Sequence, residues 1–280
     1  MNLNSFFINS LLLIALSVFL FVTAPAPLPL AAKNKSATVD INQVFMMLEA
    51  ENDAARAIWT KEIVKAGKQA GLKFDEDWRE NNVEAGPLPA LFLRETARNM
   101  ERNPLRLSLF LGSDLPINSA NKFEDSQLVN FMLLKTSSNP QFFLQQDTAL
   151  YTAMFPDMAI SQVCVDCHND HKDTPKTDWK LNDMMGATTW MYPKQKISLE
   201  ECLALLNLLR DSIKTAYARY IDKVATFQNP PEIGSKWPKE GYFLPDVNEF
   251  IATVKNKASV LTLNSLLEHS KSKPEKVAVL

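Results

Sequence analysis

The chain has no excess of either charge, no internal repeat and no low-complexity block. Its 280 residues include 30 Lys and Arg against 32 Asp and Glu, and the formal net charge is -2. Because acidic and basic residues are interspersed, the sequence offers no surface for a polyanion, and we expect no nucleic-acid partner. With 46% hydrophobic and 22% charged residues, the composition is that of a globular protein of one or two domains.

Cysteine and histidine are scarce, with 3 of each in the chain. Two cysteines and one histidine nevertheless stand together in Cys164-Val165-Asp166-Cys167-His168. A chance match to this C-x-x-C-H pattern has a probability on the order of three in ten thousand. The pattern is typical of haem c, in which two thiols add to the haem vinyl groups and the histidine binds iron. We therefore predict thioethers at Cys164 and Cys167, and a proximal iron ligand at His168.

Two other interpretations of the same residues remain open. His171 adds a fourth donor, so the cluster can also be read as a structural zinc site, although adjacent Cys167 and His168 are awkward ligands for one tetrahedral ion. A thioredoxin-like redox pair would need a βαβ context, whereas the polar residues 169–175 predict a loop. In that loop we expect His171 to be solvated.

The N-terminal segment is apolar over residues 6–23 and is followed by the proline-broken run APAPLPLAAK. We interpret residues 1–32 as an export segment, either a cleaved signal peptide or a membrane anchor. Both outcomes predict a periplasmic protein, released or tethered to the inner membrane. Haem c is attached outside the cytoplasm, which agrees with export. Cys202 is then an odd thiol in an oxidising compartment, and its leucine neighbours predict that it is buried.

Apolar periodicity and turn residues divide the rest of the chain. Helices are predicted from Asp40 to about residue 66 and at 90–101, 126–135, 198–227 and 247–255. Strands are predicted at 105–111, 141–146, 149–155 and 186–192. This order predicts an α+β fold with a long C-terminal helix and a helical tail. We divide it into a haem domain at 39–195 and a helical extension at 196–280.

Three segments within residues 86–193 resemble the c-haem-binding PAS-like domain family of bacterial exported proteins and histidine-kinase sensors. They are GPLPALFLRETA, RLSLFLGSDLPINSANKFED and CVDCHNDHKDTPKTDWKLNDMMGATTW. The resemblance implies a PAS-like fold, in which helices flank a five-stranded antiparallel sheet that carries the haem. It also implies redox or small-ligand sensing. It matches Cys164 and Cys167 to the attachment cysteines and His168 to the proximal ligand.

This chain differs from that family in the residues available as the sixth iron ligand. Some members supply a cysteine upstream of the motif, and this chain has no cysteine before Cys164. Met46 and Met47 lie on the predicted first helix, where the resemblance places the ligand, and they are our candidates. Met154 and Met158 are alternatives, as is an iron left open on that side.

Arginines and tryptophans complete the predicted haem site. We expect Arg106 to pair with the haem propionates, with Arg94 and Arg98 as further candidates. We expect Trp179 and Trp190 to pack on or near the ring.

The sequence thus predicts an exported c-type haem protein that acts in redox or small-ligand sensing or in one-electron transfer. No kinase, receptor or cyclase segment follows the haem domain, so we expect a separate redox or signalling protein as partner. We do not expect an enzyme. The enzymatic alternative is a peroxidase-like haem protein, which needs an open distal side with a catalytic His or Arg.

Overall fold

The computed structural model describes residues 38–272, and the predicted export segment lies outside them. The helices are α1 (Ile41–Ile58), a π-helix (Trp59–Lys65), α2 (Ala66–Gln69), α3 (Pro89–Glu101), α4 (Asp125–Ser137), α5 (Gln162–Asp170), α6 (Leu199–Val224) and α7 (Val247–Ser272). The strands are β1 (Thr38–Asp40), β2 (Phe74–Asp75), β3 (Gly86–Pro87), β4 (Ser108–Gly112), β5 (Gln141–Gln145), β6 (Leu150–Met158), β7 (Met184–Tyr192), β8 (Lys196–Ser198), β9 (Glu232–Gly234) and β10 (Phe243–Pro245).

The first helix forms where the sequence predicts it. Asp40 caps α1, and its carboxylate accepts the Asn42 N–H at 3.0 Å. The helical backbone continues through the π-helix and α2 to Gln69. Trp59, the first residue of the π-helix, is fully buried and stacks on Phe92 of α3 with ring centroids 4.2 Å apart. Such π-helical segments are rare and are frequent at functional sites.

The main sheet is antiparallel and has the strand order β4-β7-β6-β5. The predicted α+β class is confirmed, but the sheet has four strands rather than the five that the resemblance implies. Beyond β4 the chain makes a single isolated bridge between Ser113 and Lys122. The intervening segment contains Pro116, which lacks an N–H, and the Asn118 side chain caps a 3-10 turn instead. The segment therefore turns instead of adding a strand to the sheet.

Helices cover both faces of this sheet. On one face Ala153, Phe155 and Trp190 join the large core that α1, α3, α6 and α7 supply. On the other face Met154 and Ala187 pack under α4. The alternation of side chains along β6 therefore separates the two cores.

The two C-terminal helices share the large core. Ser198 caps α6 by accepting the Glu201 N–H at 3.1 Å. Tyr217 of α6 stacks on Phe250 of α7 with ring centroids 3.9 Å apart. Cys202 is 2% exposed, in agreement with the predicted buried thiol. No helix within residues 38–272 has the length and apolar character needed to cross a membrane.

Candidate functional site

The C-x-x-C-H motif lies on the short helix α5. Ser161 caps this helix by accepting the Val163 N–H at 3.4 Å. Because helical positions three and four apart are neighbours, Cys164, Cys167 and His168 project from one side of α5. All three side chains are partly buried.

The loop after α5 is fixed to the helix by a pair of hydrogen bonds. Asn169 Oδ1 accepts the Trp179 N–H at 2.9 Å, and Asn169 Nδ2 donates to the Trp179 carbonyl at 3.0 Å. The indole of Trp179 is thereby held edge-on to the His168 ring, with centroids 6.4 Å apart and planes at 85°. Trp179 is 5% exposed, so it shields this side of the imidazole from water.

A small apolar cluster joins α5 to the end of the sheet. It consists of Ala159, Val165, Trp179 and Met185, with Cys164 packed against it. Met185 is the extra residue of a β-bulge opposite Asp157 and Met158. Bulges redirect a side chain, and here the bulge brings Met185 to the motif. Sequence reasoning missed Met185 because strand alternation does not reveal a bulge.

The environment of His168 favours its neutral form. Burial lowers the pKa of His168, and the charge of Asp157 only partly offsets this. Its Nδ1 atom is buried and has no hydrogen-bond partner within the described residues, and the same holds for Trp179 Nε1. Buried polar atoms normally have a partner, and Trp59 Nε1 and Tyr220 OH, in the large core, also have none. A neutral imidazole is the form that ligates a metal.

The two motif cysteines favour the protonated thiol. Burial raises the pKa of Cys164, and the nearby Asp157 carboxylate adds to the rise. Burial also raises the pKa of Cys167, with Glu76 as the next cause. Zinc ligands and redox-active cysteines need a stabilised thiolate. The environment of this pair therefore differs from that of a thiolate site.

A charged cluster lies beside Cys164 under the sheet. Arg56 of α1 pairs with Asp157 of β6, and its other terminal nitrogen donates to Thr188 Oγ1 at 3.3 Å. The charges of Asp157 and Arg56 both act on the Cys164 thiol. Glu49 lies two turns before Arg56 on the same face of α1. It is buried and accepts the Trp190 Nε1 hydrogen at 2.6 Å. Sequence patterns do not indicate this cluster, because Arg56 and Asp157 are 101 residues apart.

A groove of about 440 Å³ opens where α5 begins. One wall is the helical segment that carries Lys61, Glu62 and Lys65, and the other is formed by Ile160, Ser161 and Leu181. Ile160 and Leu181 are 40% and 49% exposed, so apolar surface lines the opening. The volume falls in the range of small-molecule and cofactor sites.

The predicted sixth ligands are not brought to the motif. Ile41, at the start of α1, donates its N–H to Gln195, which follows the far end of β7. Met46 and Met47 follow soon after and are partly buried against the large core. The motif lies at the other end of β7, which is about 25 Å long.

The two alternative candidates for the sixth ligand, Met154 and Met158, lie in different parts of the structure. Met154 is fully buried under α4, in a core separate from the motif. Met158 pairs with Met184 at the end of the sheet from which the motif helix follows.

The predicted propionate ligands are also not at the motif. Arg106 is exposed in the turn before β4, with a φ of 58°. Ser108, two residues later, pairs with Met191 at the far end of β7. Arg98 forms an ion pair with Glu95, which also pairs with Arg79 and Arg219. Arg106 is therefore not placed beside the motif, and the guanidinium of Arg98 is used on Glu95.

Three remaining residues have other surroundings. Arg94 is partly buried on α3 and makes no ion pair with the side chains that the structure describes. Trp190 is fully buried in the large core. His171 is not solvated, because only 13% of its side chain is exposed. Its Nδ1 atom accepts the Asp173 N–H at 3.1 Å, and its Nε2 atom donates to Glu76 at 3.1 Å.

The zinc interpretation gains no support from the described side chains. Among residues 38–262, no group of three or more His, Cys, Asp or Glu is placed to hold a metal ion. His171 uses both ring nitrogens on other partners.

The fold and site define an α+β protein whose C-x-x-C-H helix docks at one end of a four-stranded sheet. Residues 34–193 match the Tll0287-like family, and the chain belongs to that family. No match was found among curated proteins or among solved structures.

Proposed function

We propose that this chain is an exported c-type haem protein, with haem bound covalently through Cys164 and Cys167 and axially through His168. The observation that carries the proposal is the joint placement of the three motif side chains on one side of α5. The groove described above is lined by Ser161 and Gln162 at the start of this helix, not by the motif side chains themselves. When bound, haem supplies an iron that exchanges one electron and can bind a small ligand.

The cysteine environment suits thioether formation. Each thiol adds across one vinyl group, with the sulfur bonding to one carbon and the thiol hydrogen passing to the other, so no oxidant is consumed. Burial keeps Cys164 and Cys167 protonated before the reaction. A protonated pair also resists forming a disulfide with itself in an oxidising compartment.

The surroundings of His168 suit an axial ligand. Burial keeps the ring neutral, and Trp179 fixes its orientation through the edge-on contact. The two Asn169 hydrogen bonds hold Trp179 in turn. Outer partners of this kind orient a metal ligand and are part of such sites.

We assign the propionate contacts to Lys61 and Lys65 rather than to Arg106. Both lysines line the groove beside the first residues of α5, and Arg106 lies at the opposite end of the sheet. The apolar side chains of Ile160 and Leu181 would cover the edge of the porphyrin. Cations at propionates are a common source of haem orientation and redox tuning.

We also propose that the four-stranded sheet, with helices on both faces, is a PAS-like sheet with one strand fewer than usual. The kinship of the Tll0287-like family with haem-binding PAS-like sensors is part of this proposal. The function is then redox or small-ligand sensing, or one-electron transfer, in the periplasm. A separate redox or signalling protein would receive the signal, and the N-terminal segment would act as a signal peptide or a tether.

A pyridine haemochrome spectrum tests the proposal on protein made together with the haem-attachment machinery. We expect one haem c per chain and haem staining that survives denaturing electrophoresis. Cys164→Ala with Cys167→Ala should abolish the staining, whereas the matched control Cys202→Ala should keep it. Covalent haem in the double variant, or stoichiometric zinc in the wild type, would overturn the assignment.

A further inference from the structure

Three carboxyl groups lie around a single guanidinium beside the motif. Glu49, Asp53 and Arg56 are spaced four and three residues apart, so they occupy one face of α1. Asp157 of β6 joins them through its ion pair with Arg56. One guanidinium balances one carboxylate, so the other two carboxyls of the group have no cation of their own within it.

The neighbouring strand β7 supplies polar partners to this group but no charge. Arg56 donates to Thr188 Oγ1 at 3.3 Å, and Trp190 Nε1 donates to Glu49 at 2.6 Å. A carboxylate that is shielded from water and lacks a cation is unfavourable, because its charge is poorly solvated. The carboxyls of this group therefore bind protons more readily than a solvated carboxyl does.

Asp53 is the member of the group that exchanges protons with water. The residue is exposed on α1, whereas Glu49 is buried. Partial withdrawal of its carboxyl from water raises the pKa of Asp53 to about 6. The charge of Arg56 opposes this rise and the charge of Asp157 adds to it. Protonation of Asp53 therefore changes close to neutral pH.

Two further helices, α6 and α7, pack along α1. Arg210 of α6 pairs with Glu51, which lies on another face of α1. Lys255 of α7 lies at a groove with Arg210, and Lys257 of α7 is exposed. None of these three cations forms an ion pair with Asp53 among the side chains that the structure describes. The charge balance around Asp53 is therefore set by α1 and β6.

The charges that act on Asp53 also act on the motif. Arg56 and Asp157 act on the Cys164 thiol, and Asp157 acts on His168 as well. The same two charges act on Asp53. Groups that share charged neighbours at this range also act on each other through space. A change of charge on a group held by Cys164 and His168 is therefore felt at Asp53.

We propose that Asp53 binds a proton when the haem iron is reduced, so that uptake of an electron by this chain is coupled to uptake of a proton. The proposal rests on the proposed function, because it needs haem at Cys164 and His168. An external one-electron donor supplies the electron, and the solvent supplies the proton that bonds to a carboxylate oxygen of Asp53. The charge of the proton replaces the positive charge that the iron loses, and no bond within the chain breaks.

The direction of the coupling follows from charge. Ferric iron has one more positive charge than ferrous iron, so it favours the ionised form of Asp53. Reduction therefore strengthens proton binding at Asp53, by roughly tenfold for unit charges that lie about 12 Å apart in a protein. In turn, ionised Asp53 stabilises the ferric iron and lowers the midpoint potential. A tenfold coupling amounts to about 59 mV for one electron.

Spectroelectrochemical titration of the full haem-loaded chain from about pH 5 to about pH 9 tests the proposal. We expect the midpoint potential of the wild type to fall by about 59 mV in total as the pH rises through the titration of Asp53. The potential of Asp53→Asn should equal the wild-type value at the acidic end and stay there, because an amide does not ionise. Asp211→Asn, at an exposed position on α6, should follow the wild-type curve.

Infrared difference spectra of the reduced minus the oxidised protein provide a second measurement. A band of a protonated carboxyl should appear on reduction of the wild type and be absent in Asp53→Asn. A wild-type potential that does not change with pH would overturn the proposal. So would a pH dependence that persists in Asp53→Asn, because the propionates or another group would then take up the proton. Both results leave covalent haem in place, whereas a chain without covalent haem would overturn the proposed function and this proposal with it.

Discussion

The indole of Trp179 stands edge-on to the imidazole of His168, with ring centroids 6.4 Å apart and an interplanar angle of 85°. The two residues are eleven positions apart in the sequence, and the double hydrogen bond between Asn169 and the Trp179 backbone closes the loop between them. The contact ties the orientation of the proposed iron ligand to the packing of one buried indole.

Trp179→Ala should therefore change the haem spectrum as well as the stability. Removal of a buried indole costs about 3–5 kcal/mol of unfolding free energy. A freed His168 ring should also shift the Soret band and the midpoint potential, whereas Trp179→Phe should keep both close to wild type. Phe131→Ala, in the separate core under α4, is the control that loses stability without a spectral change. An unaltered spectrum in Trp179→Ala would contradict the positioning role.

Glu49 should make the protein less stable as the pH rises. Burial raises the pKa of this carboxyl well above its usual range, and the charge of Asp53 adds to the rise. Between the unfolded and folded pKa values the folded state holds more protons than the unfolded state, so the unfolding free energy falls with increasing pH. The slope of this contribution is about 1.4 kcal/mol per pH unit.

Glu49→Gln removes this titration and leaves an amide oxygen to accept the Trp190 N–H. Urea unfolding from pH 4 to pH 8 measures the unfolding free energy. That of the variant should equal the wild-type value at the acidic end and exceed it at the basic end. Glu200→Gln, at an exposed position on α6, should follow the wild-type curve. Parallel curves for Glu49→Gln and wild type would show that Glu49 ionises alike in both states.

Lys61→Glu with Lys65→Glu should lower the midpoint potential of the haem. Acidic groups near the propionates stabilise the ferric iron relative to the ferrous iron. Lys214→Glu with Lys255→Glu changes the net charge equally but lies at a different groove, on α6 and α7. The midpoint potentials are measured by spectroelectrochemistry. Equal shifts in the two double variants would show that only the overall charge matters, and would contradict the assignment of the propionate contacts to Lys61 and Lys65.

Local sequence signals predicted the parts of the fold and site that depend on neighbours in the chain. The helix that Asp40 caps and the hairpin of β5 and β6 lie where periodicity indicates them. The spacing of Cys164, Cys167 and His168 needs only one turn of helix to bring them together. Met185 and the pair of Arg56 with Asp157 depend on a bulge and on docking of α1 against the sheet. No short-range pattern encodes either.

The fifth strand and the role of Arg106 were expected for different reasons. The fifth strand came from the family resemblance, and the segment around Pro116 turns instead of pairing. Arg106 is a candidate because it falls on the strand predicted at 105–111, but strand direction decides which end of the sheet it occupies. The antiparallel register of β4 with β7 places that end away from the motif.

The last prediction concerns the sixth position of the iron. Arg56, whose charge reaches Cys164, lies about 14 Å further along α1 than Met47. Because α1 starts at the far end of the sheet, we expect Met46→Ala and Met47→Ala to leave the ligation of the iron unchanged. The side of the site near Arg56 and Asp157 is polar, which suits a small exogenous ligand. We therefore expect sensing rather than electron transfer.

Carbon monoxide binding to the ferrous protein distinguishes these outcomes. An open iron is high-spin and binds the gas fast, because no protein bond has to break first. Met158→Ala and Met185→Ala are the variants for the two methionines at the motif end of the sheet, and neither should accelerate binding. A near-infrared band of methionine ligation in the ferric protein, slow gas binding, and loss of that band in any one of the four variants would contradict the expectation. The residue so identified would then be the sixth ligand, and one-electron transfer would be the function.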